Sequence, residues 1–179
     1  PRASTAAARA KEVLDTEPVI QNKEKTKDNT EKKGYLTFKN VSFTYPGADV
    51  PAIKNLSFEA KPGETTAIIG GTGMGKSTIV NLIPRLYDVT EGQVLVDGVD
   101  VRDYDTEVLR NKIGFVPQKA VLFAGTIDSN IAFGDKNADE DRIEEAVKIA
   151  QSYDFVMKKD EGFNSPISQG GTNVSGGQR

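Results

Sequence analysis

Apolar residues alternate from Leu36 onward. Leu36 and Phe38 are followed, after a slip near Asn40, by Val41 and Phe43. This is the pattern of a half-buried β-strand carrying a turn or bulge. Ile53, Leu56 and Phe58 predict a second strand, with a loop at Pro46-Gly47 before it and a tight turn at Pro62-Gly63 after it. Two or three antiparallel strands therefore open the folded region. Glu64 leads into residues 65–69, a β-branched run expected to be a buried strand. The period then becomes helical: Ile79, Leu82, Ile83 and Leu86 predict a helix over 79–86. Residues 92–98 read as a strand ending in an Asp-Gly turn, 106–111 as a short helix and 112–116 as a core strand ended by Pro117-Gln118. Thr126 can cap a short helix running through Ile131 to Phe133 and stopped by Gly134. Asp139 can cap an amphipathic helix with Ile143, Ala146, Val147 and Ala150 on one face. A further short helix is expected over 153–158, and the Gly-, Ser- and Asn-rich stretch 165–177 as loop. No internal repeat is evident.

The first 34 residues differ in kind. Residues 3–14 are alanine-rich and helix-favouring, with Ser4 or Thr5 as N-cap and a thin apolar side of Ala6, Ala10, Val13 and Leu14. Such a helix is marginal alone in water, and it reads as the end of a longer one. Residues 21–33 are polar and dense in mixed charge, with Asn22, Asp28, Asn29 and Gly34 as breakers, which suits a linker. A disordered tail without a role has the same composition.

Composition narrows the function classes. The 179 residues suffice for one domain and a real core. A net charge of −3 with 27% charged residues describes an ordinary polar surface and no basic footprint for nucleic acid. There is no cysteine, so no disulfide or thiolate site, and no histidine, which removes the commonest general base and metal ligand. No apolar run is long enough to span a bilayer, and no signal peptide is visible.

The chemistry concentrates in Gly70-Gly71-Thr72-Gly73-Met74-Gly75-Lys76-Ser77-Thr78, which matches Gly, four residues, Gly-Lys-Ser/Thr at every position. Glycines let backbone N–H groups turn inward around a polyphosphate without Cβ clashes. The expected helix adds N–H donors and its positive end. Lys76 supplies a full charge to the terminal phosphates, and Ser77 a hydroxyl for Mg²⁺. The motif by itself says nucleotide binding and leaves open which nucleotide and what work. Val94-Leu95-Val96-Asp97 imitates the Mg²⁺-binding strand of such proteins, but the following Gly98 reads Asp97 as a turn residue.

Several motifs in one order resemble the nucleotide-binding domain of ABC transporters of the exporter type. Val174-Ser175-Gly176-Gly177-Gln178-Arg179 is similar to the family's signature run, with valine where leucine is usual. Gln118 in Gly114-Phe115-Val116-Pro117-Gln118 resembles the Q-loop glutamine. Leu122-Phe123-Ala124-Gly125-Thr126-Ile127 with Asn130-Ile131 resembles the exporter pattern after it, and Tyr45 the A-loop aromatic. Residues 9–15 resemble the tail leaving a last transmembrane helix. The resemblance implies an α/β fold: a P-loop NTPase core with an antiparallel β-subdomain and a helical subdomain, incomplete at the C-terminus. It divides the chain into 1–15 (end of a helix from a preceding transmembrane domain), 16–34 (charged linker) and 35–179 (partial ATP-binding domain).

The resemblance also implies roles. ATP and Mg²⁺ are the expected cofactors. Gly71 through Thr78 would hold the phosphates, with Lys76 and Gln118 catalytic and Ser77 and Gln118 near the metal. Tyr45 would stack on adenine, worth ~1–3 kcal/mol. A tyrosine packing on its own sheet is the rival reading. Ser175, Gly176, Gly177 and Gln178 would open a helix toward ATP held by an opposing domain, so that two domains meet head to tail, identical or not. A transmembrane domain would be the other partner, placing the domain at the cytoplasmic face of a membrane; nucleic acid is not an expected partner. Gln169 stands where the family usually has an acidic residue. The family's later aspartate strand, the glutamate after it and the switch histidine have no counterpart here. The chain is therefore expected to be part of a larger exporter, to leave apolar strand edges open and not to hydrolyse ATP efficiently alone. A non-catalytic module that binds ATP, or only presents the signature run, remains the alternative. A DNA-maintenance ATPase sharing that run is disfavoured by the exporter pattern and by the lack of a basic face.

Overall fold

The computed structural model describes residues 2–24, 26–28, 33–135 and 137–178, with the side chains of 2–5 left out. The side chains of the expected caps Ser4 and Thr5, part of the expected linker (25 and 29–32) and Arg179 of the signature run fall outside what is described. Two compact units follow one another, residues 1–115 and 116–179.

The first unit opens with helix α1 (Arg2–Leu14), which begins ahead of both expected caps. Strands β1 (Leu36–Phe43), β2 (Ile53–Ala60), β3 (Glu91–Val96) and β4 (Val99–Asp100) form an antiparallel sheet in the order β2-β1-β3-β4. The slip near Asn40 is real: β1 changes register against β2 between Phe38 and Val41, and Asn40 adopts φ 48°. Alternation restarts beyond it, so Phe38, Val41 and Phe43 are all buried. Gly92 on β3 accommodates this bulge, because a Cβ there would sit 2.3 Å from the Lys39 and Asn40 carbonyl oxygens.

Residues 97 and 98 form the two-residue turn between β3 and β4, both with positive φ. The Asp97 carboxylate accepts from the Tyr35 N–H at 3.2 Å, the turn role read from Gly98. Helix α3 (Thr106–Asn111) is capped by Asp105, whose side chain accepts from the Glu107 and Val108 N–H groups.

Helix α2 (Lys76–Leu82) is shorter than the predicted 79–86. Its carbonyls are closed by Leu86 N–H to Asn81 O (3.1 Å) and Arg85 N–H to Leu82 O (3.3 Å), with Arg85 at φ 53°. That is a Schellman ending with arginine in the place glycine usually takes, and Pro84 could not have continued the ladder. Leu86 is consequently exposed.

Two expected strands are absent. Residues 65–69 and 113–116 carry no ladder, and Ile69 and Val116 are each 92% exposed. A central strand exists by pairing on both sides, and among the described residues no strand lies beside either run. Apolar β-branched composition without partners yields an extended, open segment.

The second unit holds β5 (Gly125–Thr126), α4 (Ile127–Ile131), α5 (Glu140–Ile149), α6 (Tyr153–Met157) and β6 (Pro166–Ile167), with 3₁₀ turns between and after them. Thr126 and Ser129 form a reciprocal capping box on α4, and Asp139 caps α5. Ile127, Val147, Val156, Ile167 and Val174 make the core. The stretch expected as loop thus contributes β6, paired with β5, to that core. On α5 only Ile143 and Val147 are buried. Ala146 and Ala150 instead line an open apolar hollow of about 260 Å³ with Ile131 and Phe155.

Candidate functional site

In the first unit the glycine loop runs from the open segment 65–69 into α2. Gly75 is the N-cap, at φ 82°, and no side chain caps the helix. A Cβ at Gly75 would lie 2.7 Å from Ile53 Cδ1 and 2.8 Å from Ala52 O, so only glycine fits where the loop crosses the start of β2. Lys76 Nζ donates to the Gly70 (2.7 Å) and Gly71 (2.6 Å) carbonyl oxygens, which turns the loop back over the ammonium. Gly71 N–H donates to the Met74 thioether at 3.1 Å. Thr72, Gly73 and Ser77 are exposed.

Thr78 differs from the rest of the loop. It is 6% exposed, and its Oγ1 lies 2.9 Å from the Tyr45 hydroxyl. Tyr45 follows β1 at the sheet's end and starts a turn closed by Ala48 N–H to Tyr45 O at 3.0 Å. Its ring meets Phe43 (centroids 4.8 Å apart, planes at 79°) and Tyr87 (5.2 Å, 84°), both edge to face. The structure therefore brings Tyr45, Lys76 and Thr78 into one small region. Tyr87 was not singled out from sequence. It lies outside any periodic pattern, and its partner Tyr45 is far from it along the chain.

Gln118 and residues 175–178 lie in the second unit. Gln118 is exposed on the loop after residue 116. Phe123 is held by a reciprocal amide clamp: its N–H donates to Asn130 Oδ1 (2.8 Å) and Asn130 Nδ2 donates back to Phe123 O (3.0 Å). Asn173 ties the preceding loop in the same manner, bonding Ser168 N–H and Pro166 O. Val174 is buried in the core of this unit. Ser175 then begins a 3₁₀ turn over Gly176–Gln178, and Gln178 Oε1 reaches back to the Ser175 N–H at 3.0 Å. This is one half of a capping box, which leaves Gly176 and Gly177 exposed. Gln169 occupies another 3₁₀ turn, Gln169–Gly171.

Comparison with known proteins decides the family. The profile described as ABC transporter matches residues 53–179. The chain belongs to the ABC transporter family. An uncharacterised ABC transporter ATP-binding protein of Mycobacterium bovis is 48% identical over 100% of this chain and 31% of its own length. The ATP-dependent lipid A-core flippase of Escherichia coli K12 is 43% identical over 93% of this chain and 28% of its own. Among solved structures, a bacterial Atm1-family ABC exporter with ATP bound superimposes with a TM-score of 0.91 at 34% identity, covering 99% of this chain and 31% of that one. The chain thus spans about a third of the length of the ABC transporter relatives it matches. No helix among the described residues is long and apolar enough to cross a membrane.

The donor set also bears on the metal expected with ATP. No group of three or more acidic, histidine or cysteine side chains among the described residues could hold a metal ion. The exposed Ser77 hydroxyl fits a hard cation whose remaining ligands are phosphate oxygens and water.

Proposed function

We propose that this chain binds ATP with Mg²⁺ as the nucleotide-binding part of an ABC exporter, and that the parent protein couples ATP binding and hydrolysis to transport across a membrane. The observation that carries the reading is the Lys76 ammonium, held under its own glycine loop by the Gly70 and Gly71 carbonyls. A cation prepositioned under a glycine loop, next to an uncapped helix start, is complementary to a polyphosphate. A bound Mg²⁺ would supply charge neutralisation to the phosphates. Ser77 would be its protein contact in the first unit. Gly71, Thr72, Gly73, Met74, Gly75 and Thr78 would line the phosphates, and the Tyr45 ring would carry the adenine. Residues 175–178 would present N–H groups to a nucleotide on a second, opposing domain.

In this reading residues 1–15 continue a helix of a transmembrane domain, 16–34 link it to the rest, and the domain lies at the cytoplasmic face of a membrane. Efficient hydrolysis by these 179 residues alone is not expected, because no carboxylate here matches the family's water-polarising glutamate. Calorimetry with ATP·Mg²⁺ and steady-state phosphate release on one sample test this. Binding without appreciable turnover is the expected outcome. Lys76→Ala should weaken binding by about 100-fold, the scale of lost charge-assisted hydrogen bonds, while Ser175→Ala leaves it unchanged in dilute monomer. Equal loss from both would overturn the head-to-tail assignment.

A further inference from the structure

The Tyr45 side chain does not stand alone at the end of β1. Its hydroxyl lies 2.9 Å from Thr78 Oγ1, in the first turn of α2. Its ring is braced by Tyr87, at 5.2 Å and 84°, and Tyr87 also meets Phe43 at 5.5 Å. Tyr87 in turn follows directly from the far end of α2. There Arg85, buried at the Schellman ending, donates from Nε (2.7 Å) and Nη2 (3.1 Å) to the Asp88 carboxylate and so sets the backbone on either side of Tyr87. Helix α2 therefore touches Tyr45 through the Thr78 hydroxyl at its start, and the segment that follows its end touches it through the Tyr87 ring. Both bracing rings cross the Tyr45 plane nearly at right angles, and among the described residues no ring lies flat against it.

From this geometry we infer that Tyr87 is a positioning residue for base binding: it holds the Tyr45 ring in the orientation that receives a nucleobase. The inference rests on the reading of Tyr45 as the base platform. An edge-to-face brace restricts the Tyr45 ring before ligand arrives, so less freedom is lost on binding. The Tyr87 hydroxyl has no part in the brace, so phenylalanine should substitute and an aliphatic residue should not.

The test compares ATP with inorganic tripolyphosphate, which carries the phosphates without a base, by calorimetry on the full chain. Tyr87→Leu should weaken ATP by roughly 3- to 10-fold, the scale of an aromatic pair. It should leave tripolyphosphate affinity unchanged, and Tyr87→Phe should retain both. Tyr45→Ala should weaken ATP by about tenfold or more, a larger loss than it causes for tripolyphosphate, since the Tyr45 hydroxyl also meets Thr78. If Tyr45→Ala behaves so while Tyr87→Leu binds ATP normally, the brace is refuted and the platform stands. If Tyr45→Ala leaves ATP affinity unaltered, the platform reading fails and the brace with it. Equal loss of ATP and tripolyphosphate in Tyr87→Leu would make Tyr87 a structural residue of the unit, which also overturns the inference. Thermal melting of each variant separates that last outcome from unfolding.

Discussion

At the residue scale, the consequential position is Gly75. Its φ of 82° and the 2.7–2.8 Å spacing to Ile53 and Ala52 leave no room for a methyl group. Gly75→Ala must displace either the loop or the start of β2, and a cost of about 1–3 kcal/mol follows from strain and overpacking together. Chemical denaturation should show that loss, with ATP binding weakened in the same variant. Glycine at this place was legible from the motif, whereas its neighbour across the fold was not. Asp97 shows the opposite case. One following glycine was enough to separate a turn aspartate from a metal ligand, because a two-residue turn demands positive φ at both positions.

At the scale of elements, the polar segment between α1 and β1 is bonded to the first unit. Asn22 Nδ2 donates to Asp105 Oδ2 at 2.6 Å and Asn22 Oδ1 accepts from the Thr106 N–H at 3.0 Å. Lys27 N–H donates to Asp103 O at 2.7 Å. The Asp103 carboxylate accepts from both Lys23 and Lys27. Hydrogen bonds from Lys23 and then Lys27 push the Asp103 carboxyl from the ordinary 3.8 down to about 2. The depressed value means that the contact is fully present above the ordinary value and fades as pH falls through about 2. The protection factor of the Lys27 amide, which bonds the Asp103 carbonyl, should therefore fall between those limits. The double variant Lys23→Gln, Lys27→Gln should show fast exchange at neutral pH already. Mixed charge in a sequence does not say which surface it will meet, and these pairs join residues far apart along the chain.

At the scale of the whole chain, two runs read as strands stand open. Ile69 and Val116 are each 92% exposed, on segments of high β-propensity with unpaired backbone. Such edges favour self-association. Ile69→Lys and Val116→Lys should lower aggregation in light scattering at unchanged thermal midpoint, since neither side chain is packed. A fall in the midpoint would show that these residues are buried in solution. The sequence alone determined what depends on near neighbours: the bulge at Asn40, the turn at Asp97, the caps at Thr126 and Asp139 and the glycine loop ahead of α2. Local sterics and hydrogen bonds within a few residues suffice for these. The tertiary structure decided what depends on partners: the runs 65–69 and 113–116, which need neighbours to become strands, and the meeting of Tyr45, Thr78 and Tyr87. A ladder or a ring contact forms only when distant segments are brought together, and no short-range pattern encodes that.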